Sequence, residues 1–259
     1  MSRRTEGLTY FLSDIHLGAS YMPDRRAHER RVVDFLRSVE DKAKAVYLLG
    51  DVLDYWFEYR TVVPRGYVRF FGQLARMADA GVEIVWFTGN HDIWLFDYIR
   101  DEIGVEIVDA KGAGVERRID GTLFFLGHGD NFGRQPLGYR ILRSFFHNKV
   151  CQKLYSGIHP RLTMPFAHGW SAHSRKGNAC PPEAKLAGRA RTAVEVEARR
   201  LCTALPDLRY IVIGHHHVAL DEPVTSKCRL VVLGNWITRS TYAVFDGTSL
   251  ELKEFCGDM

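Results

Sequence analysis

Two textures of hydrophobic patterning divide this chain. In the first, short unbroken apolar runs alternate with longer amphipathic segments. Leu8–Leu12, Ala45–Leu49 and Val82–Phe87 are bounded by polar or glycine residues and read as strands, the first of them buried. Between them, Arg26–Val39 carries Val32, Val33, Phe35, Leu36 and Val39 at helical spacing. Tyr67–Ala80 does the same with Phe70, Phe71, Leu74, Met77 and Ala78, and Gly81 stops it. This alternation predicts βαβ units and a largely parallel sheet. In the second texture the runs are short and closely joined. Val115–Ile119 and Thr122–Leu126 flank Asp120-Gly121, a hairpin signal. Tyr210–Ile213, Leu230–Leu233, Tyr242–Phe245 and Leu250–Phe255 follow, with a second Asp-Gly at 246–247, and predict a second sheet of antiparallel character.

Between the textures, Leu137, Ile141, Leu142, Phe145, Phe146, Val150, Leu154, Tyr155 and Ile158 recur at helical spacing, with Arg140, Arg143, Lys149 and Lys153 on the remaining faces. The pattern predicts an amphipathic helix with a basic face, broken later by Pro160, Pro165 and Pro181-Pro182. Charge sharpens this picture. Arg134 to Arg191 holds 11 Lys/Arg against the single acid Glu183, a net of +10, which leaves the rest of the chain at −6 of an overall +4. Such an excess points to an anionic partner: a phosphorylated substrate, a nucleic acid or a membrane surface. Nucleic acid is disfavoured because the basic residues share their helix with many apolar ones.

The 259 residues suffice for one large α/β domain or two small ones with a substantial core. No run of 18 or more apolar residues occurs, so no spanning helix is expected. The N-terminus leads directly into a strand, and no secretory signal is expected. The cysteines at 151, 180, 202, 228 and 256 are odd in number and scattered, which argues against a disulfide framework or thiolate zinc site.

The chemistry lies directly after the strands. The first ends in Asp14-x-His16, the second in Gly50-Asp51-x-x-Asp54, the third in Gly89-Asn90-His91-Asp92. Leu123–Leu126 leads into Gly127-His128-Gly129-Asp130, and Tyr210–Ile213 into Gly214-His215-His216-His217. Any one of these has an ordinary reading as a turn, a core histidine or chance spacing. Five in order, each after an apolar run, do not. Residues at the carboxyl ends of neighbouring strands converge. Asp, Asn and imidazole together suit divalent ions such as Mn²⁺, Fe²⁺ or Zn²⁺, and Asp51 is the carboxylate best placed to bridge two of them.

This ordered set resembles the calcineurin-like metallophosphoesterases. The resemblance implies an αββα sandwich of two mixed sheets. It implies that Asp14, His16 and His217 hold one metal, that Asn90, His128 and His215 hold another, and that Asp51 bridges. His91 would protonate the leaving oxygen or stabilise charge at phosphorus, oriented by Asp92. Two metal ions supply a nucleophilic water near neutral pH and neutralise the phosphate oxygens. The 87-residue spacing from His128 to His215 then reads as a core of 1–133 and 201–259 interrupted by a helical lid, 134–200. Within the lid, Trp170, Ser171, Ser174, Arg175 and Lys176 are expected to touch substrate. Tyr55–Arg60 is a second candidate cleft lining, with core packing the competing reading.

More narrowly, the chain resembles the UDP-2,3-diacylglucosamine hydrolases of lipid A biosynthesis. Beyond the metal motifs it shares the insertion and the late Val231-Val232-Leu233-Gly234-Asn235-Trp236. This resemblance implies hydrolysis of a UDP-linked acylated sugar to UMP and an acylated sugar 1-phosphate. It also implies a preference for Mn²⁺ and peripheral work at the cytoplasmic face of an anionic inner membrane. Many of those hydrolases carry Arg where His91 stands, and Gly-His-Thr-His at 214–217. The alternatives are a metallophosphoesterase acting on a soluble nucleotide pyrophosphate or phosphodiester, and a non-catalytic scaffold.

Overall fold

The computed structural model describes residues 3–109, 112–133, 137–163 and 189–257. The first sheet has the order β11-β10-β1-β2-β3-β4: β1 (Leu8–Leu12), β2 (Ala43–Leu49), β3 (Glu83–Phe87), β4 (Glu106–Val108), β10 (Thr241–Phe245) and β11 (Leu250–Glu254). Strands β1 to β4 run parallel, and β10 lies antiparallel to β1. The second sheet has the order β5-β6-β7-β9-β8: β5 (Val115–Ile119), β6 (Thr122–Gly127), β7 (Leu208–Ile213), β8 (Ala219–Pro223) and β9 (Arg229–Leu233). Here β6, β7 and β9 are parallel, and β5 and β8 are antiparallel edges. Pairing therefore corrects the expectation for the C-terminus. Its last two strands close the edge of the first sheet, while the second sheet is mixed, as the family resemblance implies, with β5 and β8 giving it antiparallel character.

Continuous apolar strands are explained by burial on both faces. Alternate residues serve different layers: Val46, Leu48, Ile84 and Trp86 face helices α1 (Arg25–Val39) and α2 (Val68–Asp79), while Tyr47, Leu49, Val85 and Phe87 face the other sheet. Across the inter-sheet layer Phe11 stacks on Phe124, with ring centroids 5.7 Å apart, and Phe124 meets Phe245 edge-on at 5.0 Å. On the far side, Val194, Ala198 and Leu201 of α6 (Arg189–Ala204) pack on Leu208, Ile211 and Val232. The last residues of the stretch read as lid thus form part of the outer layer of the body.

The amphipathic segment is two helices, α4 (Leu137–His147) and α5 (Lys149–Ser156), rather than one. Asn148 causes the break: its extended backbone and its Oδ1, which accepts from Val150 and Cys151 N–H, restart the helix as an N-cap. A short helix, α3 (Tyr98–Ile103), precedes β4. No described helix is long and apolar enough to cross a membrane.

Candidate active site

Both sheets deliver the carboxyl ends of their parallel strands to one place. The loops beyond the strands keep pairing there: Asp14 N–H donates to Gly50 C=O, His16 N–H to Asp51 C=O, and Gly214 N–H to His128 C=O, at 2.8–3.1 Å. Donor atoms of Asp14, His16 and His217 lie within 4.8 Å of one another, and so do those of Asp51, His128 and His215. A third such group, His16, Asp51 and His91, shares Asp51 with the second. Asn90 Oδ1 stands 3.1 Å from His128 Nε2, beside the second group. All seven residues expected as metal ligands are therefore brought together, with Asp51 between the two groups.

Strain and close approach are concentrated here. Seven described non-glycine residues have left-handed φ, and five of them are Asp14 (53°), His16 (52°), Asp51 (52°), His215 (67°) and His217 (59°). Such conformations persist only where the surroundings over-determine them. Gly89 and Gly214 show how tight those surroundings are. A Cβ on Gly89 would sit 2.2 Å from Asp51 Oδ1, and one on Gly214 would sit 1.9 Å from Ser13 Oγ.

The atoms facing inward fit a cation. His128 Nδ1 bonds the Leu49 carbonyl at 2.9 Å and must donate there, which turns Nε2 toward Asp51 Oδ2 at 3.4 Å. Asp14 Oδ2 accepts from Ser13 Oγ and His215 N–H. Its buried Oδ1 accepts no hydrogen bond and points at His217 Nε2, 3.3 Å away. Lone-pair atoms thus converge on lone-pair atoms, an arrangement that a shared positive charge relieves. Without a metal the protons show the same tension. Burial, with the Asp51 charge added, pushes Asp14 up to about 7. Burial also acts to raise Asp51, but the charges of His128, His91 and His16 outweigh it and hold Asp51 well below the carboxylate range. Burial pulls on His128 too, yet the Asp51 and Asp14 carboxylates lift it well above its ordinary value. His215, buried beside that charge, falls to about 3.

His91, expected to be oriented by Asp92, finds its ring hydrogen bond elsewhere. Asp92 is fully buried. It accepts from the N–H groups of Gly89 (2.7 Å), Val52 (2.9 Å) and Asp51 (3.2 Å) and from Trp86 Nε1 (3.1 Å), and so ties the Gly-Asn loop to the Gly-Asp loop. Asp54 takes its place. His91 Nδ1 donates to the Asp54 carbonyl at 2.9 Å, and the Asp54 carboxylate lies 3.7 Å from that nitrogen and 3.4 Å from His16 Nδ1. Sequence reasoning saw Asp54 in its motif but gave it no part. A buried carboxylate three residues after Asp51 was the available signal.

Tyr55 and Phe57 join Ile93 and Trp94 in a cluster against which Phe146 of α4 and Tyr155 of α5 pack. Trp56 is core, and buried Glu58 accepts from three N–H groups at the start of α3. The Tyr55–Arg60 stretch is thus divided between core and lid seat. The α4 helix is also latched to the loop after His128: Arg143 Nε (2.9 Å) and Tyr139 OH (3.2 Å) both donate to Asp130 Oδ2. Beside this latch a cavity of about 1250 Å³ opens between the lid helices and the α3–β4 region. Its lining mixes apolar Ile93, Leu95, Phe96 and Ile107 with basic Arg140, Arg143 and Lys149 and acidic Asp97 and Asp109. Trp170, Ser171, Ser174, Arg175 and Lys176 lie outside the described residues.

The family model of the calcineurin-like phosphoesterases matches residues 8–219, which spans every motif of the cluster. The chain belongs to that family. It is 39% identical over 257 residues to a UDP-2,3-diacylglucosamine hydrolase of Porphyromonas gingivalis, covering 94% of this chain and 96% of that one. It is 26% identical over 255 residues to the hydrolase of the same name from Edwardsiella ictaluri, covering 95% and 91%. Among solved structures, a dimetal phosphatase from Danio rerio is 15% identical, with coverage of 96% and 95% and a TM-score of 0.45.

Proposed function

We propose that this protein hydrolyses the pyrophosphate of UDP-2,3-diacylglucosamine, giving UMP and 2,3-diacylglucosamine 1-phosphate. The observation that carries the reading is the convergence of acceptor-lined clusters around Asp51, on a chain that also offers a cavity lined by apolar and basic side chains. The two relatives of that name, matched nearly end to end, support it. In this reading Asp14, His16 and His217 hold one divalent ion, Asn90, His128 and His215 hold the other, and Asp51 is shared. Mn²⁺ fits the mixed oxygen and imidazole donors. The ions supply a nucleophilic water near neutral pH and charge neutralisation at phosphorus. The protein groups do the rest. The Asp54 carbonyl keeps a proton on His91 Nδ1, so Nε2 is the atom that serves the departing oxygen. Arg140, Arg143 and Lys149 receive phosphate charge, and Ile93, Leu95 and Phe96 receive acyl carbons.

The lid has a second apolar face, turned outward. Leu137, Ile141 and Phe145 on α4 and Val150 and Leu154 on α5 are 58–70% exposed, with Arg140, Lys149 and Lys153 among them. An apolar stripe bordered by cations suits the interface of an anionic bilayer, and peripheral attachment there would place the lid where an acylated substrate resides. Release of UMP from the diacylated substrate with Mn²⁺, measured beside the deacylated UDP-sugar, tests the reading. Fast release from the acylated compound alone is expected. Equal rates on both would leave a two-metal phosphoesterase with a soluble substrate.

A further inference from the structure

Asp14 and His217, two donors of one cluster, come from different sheets, and both sit in left-handed backbone. The turn that leaves β9 reaches both. Trp236 N–H donates to the Asp14 carbonyl at 3.1 Å. The Asn235 side chain donates from Nδ2 to the His217 carbonyl at 2.9 Å. Its Oδ1 accepts from the N–H of Ile237 (2.9 Å), the N–H of Thr238 (2.8 Å) and the Thr238 hydroxyl (3.1 Å). Asn235 is 4% exposed, so these bonds form away from water and their loss is not made good by solvent. The turn itself is drawn tight: a Cβ on Gly234 would lie 2.3 Å from Thr241 Oγ1. The oxygen of Asn235 therefore shapes the turn, while its amide nitrogen grips a ligand residue held in a conformation it would not choose alone.

We propose that Asn235 is a positioning residue for a single metal position, the one formed by Asp14, His16 and His217. It fixes His217 through its backbone carbonyl and leaves the Asn90–His128–His215 position untouched. The inference rests on the two-metal reading above. Outer contacts of this kind set metal affinity by about 10- to 100-fold.

Asn235→Asp isolates the grip. The carboxylate keeps an acceptor for Ile237 and Thr238 but sets an acceptor against the His217 carbonyl. Thr238→Val is the control, since it loosens the turn without removing the amide donor. Metal-stripped proteins are titrated with Mn²⁺ by calorimetry, and their melting temperatures are measured without metal. The wild type is expected to bind two ions. Asn235→Asp should bind one normally and the other about 10- to 100-fold more weakly. Its metal-free melting temperature should fall below that of Thr238→Val, because a buried acceptor is left facing the His217 carbonyl, while Thr238→Val keeps both affinities. Wild-type affinity for both ions in Asn235→Asp would overturn the proposal, as would equal weakening of both with a collapse in melting temperature. Uptake of fewer than two ions by the wild type would instead overturn the two-metal reading, and this inference with it.

Discussion

The metal-facing end of the sandwich and the lid above it are built on opposite principles. In the first, Asp14, His16, Asp51 and His128 are buried; Asp14 and Asp51 accept hydrogen bonds from neighbouring loops, and His128 donates one to the Leu49 carbonyl. The backbone is strained at five of the ligand positions. In the second, no residue of α4 or α5 is buried. The helices rest on two aromatic rings, an Asp130 latch and a few further bonds such as Tyr55 OH to Tyr155 OH. A phosphorus centre needs donors fixed to within fractions of an ångström. A flexible acyl chain needs apolar surface of roughly the right extent.

Asp51→Ala would break the comparison from the rigid side. Both clusters lose their shared carboxylate, and kcat should fall by more than about 10³-fold on acylated and small substrates alike, with metal content falling in parallel. Metal analysis beside kinetics checks this. His91→Ala should keep its metal and lose about 10²- to 10⁴-fold in kcat. Full retention of rate would remove His91 from the chemistry. Replacing residues 137–176 by a short Gly/Ser link addresses the soft side. Turnover of the acylated substrate should drop by at least the order of 10²-fold, while a small chromogenic phosphodiester is cleaved nearly as before. Equal loss on both would make the lid part of the rigid region after all. Tyr139→Phe is the mildest probe. It removes one bond to the Asp130 carboxylate, on the order of 1–2 kcal/mol, and should raise KM for the acylated substrate several-fold without changing kcat.

The ligand set was legible because each member directly follows an apolar run, and strand ends in an open α/β sheet converge by construction. Sheet membership was not. Tyr242–Phe245 shows its strand character locally, but its partner is β1, more than two hundred residues away, and no local pattern records that pairing. The exchange of Asp92 for Asp54 has a similar origin. Adjacency in Gly-Asn-His-Asp suggests a pair, but consecutive residues of the turn bond different partners: His91 the Asp54 carbonyl, Asp92 a nest of N–H groups. Asn148 carried a readable cap signal inside a helical pattern that continued through it.

Each of these two candidate metal-binding groups takes donors from both sheets: Asp14 and His16 with His217, Asp51 with His128 and His215. The gap between them is therefore spanned by the same aromatic layer that holds the sandwich together, Phe11 on Phe124 and Phe124 on Phe245. The molecule behaves as a pair of calipers whose hinge is its hydrophobic core. A void opened between Phe11 and Phe124 would change the jaw spacing, so a repacking remote from any phosphate would register as altered metal selectivity.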